Sequence, residues 1–134
     1  MAESFSVDVV AADRRVWQGR ATQVVATTVT GEIGILAHHI PLIAALAPGR
    51  AEITVEDGRR MAVAVAGGFL SVSEGGETTI ISPYAQLADE ISLAQAERDL
   101  RQVQKAREDG DLSLETERRY HRALAQVRAA ARKV

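Results

Sequence analysis

Apolar and polar residues alternate one by one over the first two thirds of the chain and recur every three to four residues over the last third. Phe5, Val7 and Val9 alternate with Ser4, Ser6 and Asp8, the pattern of a strand with one face on a core. Ala51, Ile53 and Val55 alternate with Glu52, Thr54 and Glu56. Asp57-Gly58 then supplies the positive-φ residues of a tight hairpin turn, and Arg59 to Ala66 returns as the partner strand. A further strand, Phe69 to Ser73, is followed by Gly75-Gly76 and by a strand from Thr78 to Ser82. Short strands separated by turn signals, with no helical window among them, predict an antiparallel β-sandwich or flattened barrel of about eight to ten strands.

From residue 89 the period changes to 3.6. Leu93, Ala96, Leu100 and Val103 make one stripe, and Tyr120, Leu124, Val127 and Ala131 make another. Between them, Glu108-Asp109-Gly110-Asp111 provides a glycine stop and an acidic turn before Ser113, a helix N-cap. Ser92-Leu-Ala-Gln95 matches a capping box, in which Ser92 caps the Gln95 amide and the Gln95 side chain reaches back. The reading is α+β: a β-sandwich over residues 1–88, then an antiparallel two-helix hairpin over residues 89–134. The stripes are narrow and rich in alanine, so the hairpin is expected to sit weakly on the sandwich.

Charge sharpens this division. Residues 1–88 carry 15 charged side chains and residues 89–134 carry 19, so the charged fraction more than doubles where the period changes. The net charge of −2 leaves no global basic field for nucleic acid or acidic lipid. Without cysteine, thiol catalysis, thiolate metal sites and disulfides are excluded. The N-terminus MAESFSVDVV has no basic segment before an apolar run, so no signal peptide is expected. The longest stretch free of Asp, Glu, Lys and Arg runs from Ile33 to Gly49 and is interrupted by His38, His39 and Pro41. A spanning helix needs roughly 20 apolar residues, so no direct membrane insertion is expected.

Little in the chain reads as catalytic chemistry. His38 and His39 are adjacent and on a strand would face opposite ways. A zinc site wants three or four ligands, and none clusters at suitable spacing. No glycine-rich loop leads from strand to helix, and no nucleophile elbow is present. Glu56-Asp57 and Asp89-Glu90 fall in predicted turns as solvated acids. Trp17, between Arg15 and Arg20, reads as sandwich-edge packing under arginine stems. The basic residues of the helices are interleaved with acids, so nucleic acid is not an expected partner.

The order of these features, and three of its motifs, resemble the epsilon subunit family of bacterial F-type ATP synthases. The segment GEIGILAHHIPLIAAL, residues 31 to 46, is similar to that family's G-E-x-G-I-L-P-G-H-x-P-L motif. VAGGFLSV, residues 65 to 72, and the opening FSVDVVAADRRVWQG resemble two further family segments. The resemblance covers the whole chain and implies a non-catalytic rotor component without a cofactor. Its implied partners are the gamma subunit, the ring of c subunits and, transiently, the catalytic alpha/beta head. The implied location is peripheral, on the cytoplasmic face of the bacterial plasma membrane. By resemblance Glu32, His38 and His39 lie on or near the ring-facing surface. Also by resemblance, the helices inhibit ATP hydrolysis through a basic face, for which Arg118, Arg119, Arg122, Arg128 and Arg132 are the candidates by position and chemistry.

Two departures from the family pattern stand out. Ala37-His38 replaces the usual Pro-Gly, which removes a proline turn and a positive-φ glycine. Some relatives bind ATP through an Ile/Leu-Asp-x-x-Arg-Ala motif and second-helix arginines. Here Ser92 and Gln95 replace its Asp and Arg, and Gln126 stands where a second arginine is expected, so only Arg122 matches. Losing two cations removes charge-assisted bonds to phosphate, and ATP is expected to bind no tighter than about millimolar, roughly 4 kcal/mol. Two other readings compete with the stalk subunit. One is a free-standing sandwich adaptor whose helical hairpin serves another protein; the other is a small enzyme acting through His38 or His39.

Overall fold

The computed structural model describes residues 3–131. Seven strands come first: β1 (Phe5–Ala11), β2 (Arg15–Thr28), β3 (Gly31–Ile35), β4 (Leu42–Val55), β5 (Arg60–Val72), β6 (Thr78–Ser82) and β7 (Ala85–Leu87). A single 3-10 turn, Ala88–Glu90, leads into α1 (Leu93–Glu108) and α2 (Leu114–Ala130). The strands pair in the order β1-β6-β5-β4-β2-β3, and β1 also pairs with β2, so five of them close into a ring. β3 continues beyond β2 and β7 pairs with β5. All pairs are antiparallel except β1 with β6, which is parallel.

Seven strands stand where eight to ten were expected because long ones serve two layers. The segments Arg59–Ala66 and Phe69–Ser73, read separately in the sequence, are one strand, β5. It bends at Gly67 and Gly68, both at positive φ (89° and 100°). Its first half pairs with β7 and its second half with β6, while β4 runs beside both. Gly68 is required there, since a Cβ would lie 2.0 Å from the Ile81 carbonyl oxygen.

The core lies inside this flattened barrel. Val7, Val9, Val24, Ile53, Val63, Leu70 and Ile80 have no exposed surface, each contributing about 1.5–3 kcal/mol of burial. Trp17 packs partly buried against that core, over Gly19, where a Cβ would meet its ring at 2.6 Å. The flanking arginines are held outside: Arg15 donates to Asp8 at 2.9 Å and Arg20 to the Ser4 hydroxyl at 2.9 Å. The β4–β5 connection has four residues, Glu56 to Arg59, and only Gly58 is at positive φ (95°). Asp57 holds it differently, accepting from the Arg59 backbone N–H at 3.0 Å and from Arg59 Nε at 2.7 Å.

The helices begin and end where their caps dictate. Ser92 Oγ accepts from the Gln95 N–H at 3.3 Å. The Gln95 side chain does not reach back; it bonds Asp99 at 2.8 Å and Arg98 at 2.7 Å. At the other end Gly110 (φ 97°) donates to Arg107 O at 3.0 Å, and Asp111 N–H donates to Ala106 O at 3.0 Å, a Schellman stop. Ser113 Oγ then accepts from the Thr116 N–H at 3.2 Å.

Candidate functional site

Three surfaces combine unusual chemistry with exposure. The first is an apolar row on the outside of the barrel. Val10 pairs with Ile81, Ile81 with Phe69, and Phe69 with Ala45, so one row crosses β1, β6, β5 and β4. Phe69 is 56% and Ile81 55% exposed. Ile43 shares that face of β4, and Val29, whose N–H bonds Ala45 O at 3.0 Å, extends the row toward β3. Among the described residues no element covers it. Leaving a Phe or Ile in water forgoes about 1.5–3 kcal/mol per side chain, which a partner recovers on docking. The sequence carries a signal for this that alternation alone misses. Val9-Val10, Phe69-Leu70 and Ile80-Ile81 are apolar on both faces of a strand, which means something packs on both.

The second surface is the Leu36–Pro41 loop. His39 N–H donates to Leu36 O at 3.2 Å, closing a turn in which His38 adopts φ 68°. That is the turn position that needs a positive φ and suits glycine, and here a histidine occupies it. His38 Nε2 pairs with Glu3 Oε2 at 2.5 Å, and His39 Nδ1 bonds its neighbour's carbonyl, Ile40 O, at 2.8 Å. The histidines line a cleft of about 460 Å³ with Arg20, Glu74 and Glu77. Glu32 is not with them. It stands exposed on β3 opposite Thr27 and is not among the residues that line the cleft. Among the described residues no group of three or more His, Asp or Glu is placed to hold a metal ion, and no helix is long and apolar enough to cross a membrane.

The third surface is the helical hairpin and its seam. α2 lies on β4 and β5, while α1 packs on α2. Ala125 and Ala129 are buried against Ala64. The α2 stripe expected from the sequence is displaced: Tyr120, Leu124 and Val127 are half-buried and Ala131 is exposed, whereas Thr116, Ala123, Ala125 and Ala129 are buried. Periodicity weights bulky residues, but a helix lying this close to a sheet needs small ones. On α1 the expected stripe holds, with Ala96 and Val103 buried. Arg107 clamps the two helices, donating to Glu117 Oε1 at 2.8 Å with its guanidinium 3.9 Å from the Tyr120 ring centre.

Three buried methyl groups contribute only about 0.8 kcal/mol each, so polar contacts matter at this seam. Arg50 Nη1 on β4 donates to Ala129 O at 2.6 Å, placing a cation at the α2 C-terminus. In return, Arg128 Nη1 donates to Pro48 O at 2.7 Å. Gln126 Nε2 donates to the Tyr84 hydroxyl at 2.9 Å, and that hydroxyl donates to Gln86 Oε1. Burial pushes the Tyr84 hydroxyl above the ordinary phenol range, the Gln126 bond working against it.

The five candidate basic residues therefore divide. Arg118, Arg119 and Arg122 gather around a cleft of about 500 Å³ with Tyr84 and Pro83. Among the described residues none of the three has a carboxylate partner within 4.0 Å. Arg128 is spent on the sheet, and Arg132 lies outside the described residues. Of the positions matched to the ATP motif, Ser92 caps α1, Gln95 bonds Asp99 and Gln126 bonds Tyr84. Tyr84, Gln86 and Arg50 were not singled out from the sequence, since their roles arise only when α2 comes to lie on the sheet.

Residues 4–89 match the family described as ATP synthase, Delta/Epsilon chain, beta-sandwich domain. Over 133 residues the chain is 38% identical to the ATP synthase epsilon chain of Cutibacterium acnes, covering 94% of this chain and 91% of that one. It is 41% identical over 131 residues to the ATP synthase epsilon chain of Streptomyces coelicolor, covering 98% of each. A chain in the cryo-EM structure of Euglena gracilis mitochondrial ATP synthase (OSCP/F1/c-ring, rotational state 1) superposes with a TM-score of 0.72. It is 23% identical, with 91% of this chain and 76% of that chain covered, a likeness of fold.

Proposed function

The chain belongs to the epsilon-chain family of ATP synthase, and on that premise we propose that it couples c-ring rotation to ATP synthesis from the central stalk and brakes ATP hydrolysis. It has no catalytic role of its own. Residues 1–88 dock on the gamma subunit and the c-ring, and residues 89–134 form the regulatory hairpin. The proposed location is the cytoplasmic face of the bacterial plasma membrane, peripheral and attached through the complex.

The observation that carries this reading is the uncovered apolar row Val10–Ile81–Phe69–Ala45. A rotor component transmits torque through a stable contact, and a row of exposed aliphatic and aromatic side chains supplies one without directional bonds. The loop carrying His38 and His39, with exposed Leu36 and Ile40 beside them, is the proposed ring-facing rim, and Glu32 extends it along β3. Arg118, Arg119 and Arg122, open to solvent and without carboxylate partners among the described residues, are the cations offered to an acidic surface of the catalytic head.

The test has two arms. A pull-down from native membranes is expected to recover gamma, c and the catalytic subunits with this chain. Deleting residues 90–134 is expected to raise the ATPase rate of the assembled complex. Recovery without any synthase subunit would overturn the stalk assignment, and an unchanged rate after deletion would remove the brake.

A further inference from the structure

We infer that a hydrogen-bonded latch of Tyr84, Gln86 and Gln126, more than the apolar seam, decides whether the helical hairpin stays docked on the sandwich. Its regulatory meaning rests on the braking role proposed above; the docking equilibrium itself does not.

Two arginine bonds also cross the seam, Arg50 to Ala129 O and Arg128 to Pro48 O, but both end on backbone carbonyls, and among the described residues the Gln126 bond is the one between side chains. The seam's buried apolar residues are Ala64, Ala125 and Ala129, and α1 is carried chiefly by α2. A wide leucine face would hold the hairpin in one place. Gln126 sits between Ala125 and Ala129, the α2 alanines buried against Ala64, so its amide is carried to the sheet with them. There Nε2 donates to the Tyr84 hydroxyl at 2.9 Å and lies 3.4 Å from Gln86 Oε1. The tyrosine is fixed on its own side, because its carbonyl accepts from the Ser82 hydroxyl at 2.7 Å and from the Ala66 N–H at 3.0 Å.

This arrangement suits a reversible contact. Within the triad, opening exchanges only the Gln126 contacts to Tyr84 and Gln86 for bonds to water, since the Tyr84–Gln86 bond joins two residues of the sandwich and stays with it. The exchange therefore costs little free energy. Opening is graded by partners as well. Arg122 lies 5.9 Å from the Tyr84 ring centre, and with Arg118 and Arg119 it faces the cleft beside the latch. An acidic surface can therefore engage these arginines while the hairpin is docked and then draw α2 away.

The chain has no cysteine, so spin labels at Glu74→Cys on the sandwich and Arg101→Cys on α1 report docking in the full-length protein. Tyr84→Phe and Gln126→Leu are each expected to raise the undocked-to-docked ratio at least tenfold. The leucine variant separates the two explanations, since it adds apolar surface to the seam and would tighten docking if the seam were in control. Docking unchanged or tightened in both variants overturns the latch. Hydrogen exchange of β1 to β7, unchanged in both, shows that the sandwich is intact. In the reassembled complex the same variants are expected to lower ATPase activity. A distance shift without that loss supports the latch and removes the braking role from the proposed function.

Discussion

Phe69 and Ile81 stand directly opposite each other across β5 and β6, both more than half exposed, while their neighbours Leu70 and Ile80 have no exposed surface. The pair sits at the middle of the apolar row, where a docking partner would bury it most completely. Phe69→Ser combined with Ile81→Ser is expected to leave the circular dichroism and melting of the isolated chain nearly unchanged. The same variant is expected to lose co-purification with the stalk by at least tenfold, read by quantitative pull-down. Wild-type recovery would show that the row is not the docking surface.

Gly68 supports the same row from beneath. A Cβ there would sit 2.0 Å from Ile81 O, and its φ of 100° disfavours any side chain. Gly68→Ala is expected to destabilise the chain by about 3 kcal/mol or more, through displacement of β6. Urea unfolding measures this, and Gly76→Ala is the control: it shares a positive φ (84°) but has open space around a Cβ.

His38 occupies a turn position that suits glycine. His38→Gly relieves the positive φ but gives up the Glu3 contact, both groups being exposed, so stability is expected to stay within about 0.5 kcal/mol. His38→Val puts a β-branched residue at φ 68° and is expected to cost about 1–2 kcal/mol. Denaturant midpoints of the two variants against the parent check the difference.

Asp111 ties the helical turn to pH. The Thr116 hydroxyl, at 2.7 Å, and then the Ser113 N–H, at 3.0 Å, hold its carboxyl below the ordinary carboxylate value. The folded state thus favours the ionised form. The contribution is present above the unfolded value, roughly pH 4, and is lost as pH falls through the lowered folded value. Hairpin helicity, followed by circular dichroism, is expected to decline only below about pH 4, and Asp111→Asn is expected to flatten that decline.

Nucleotide binding is expected to be weak. Gln95 and Gln126 spend their side chains on Asp99 and Tyr84, and neither brings a cation to a phosphate. Calorimetry is expected to show ATP binding no tighter than about millimolar; a micromolar dissociation constant would contradict this. Gln95→Arg with Gln126→Arg is expected to strengthen binding.

The strands around Phe5–Val9 and Ala51–Val55, and the caps at Ser92 and Ser113, were legible because each depends on residues within a few positions of one another. The half-formed capping box at Gln95 shows where local reading ends, since two alternative partners on the same helix were equally within reach. The α2 stripe failed where packing against the sheet overrode it. Alanine carries little weight in a hydrophobic pattern, but the sheet selects it where two backbones approach closely.

Alternation and the period-3.6 stripes by themselves determined the element types, strands first and helices after, and, with three motifs, the family. Tertiary structure alone decided that Arg59–Val72 would be one strand bent at Gly67 and Gly68, because only the closed ring brings Ile81 O against Gly68. It also decided that Val10, Ile81, Phe69 and Ala45 would share a row, and that Gln126 would meet Tyr84 across 42 positions. Local patterns follow from the geometry of one segment, whereas register and docking depend on which distant backbones come within van der Waals contact.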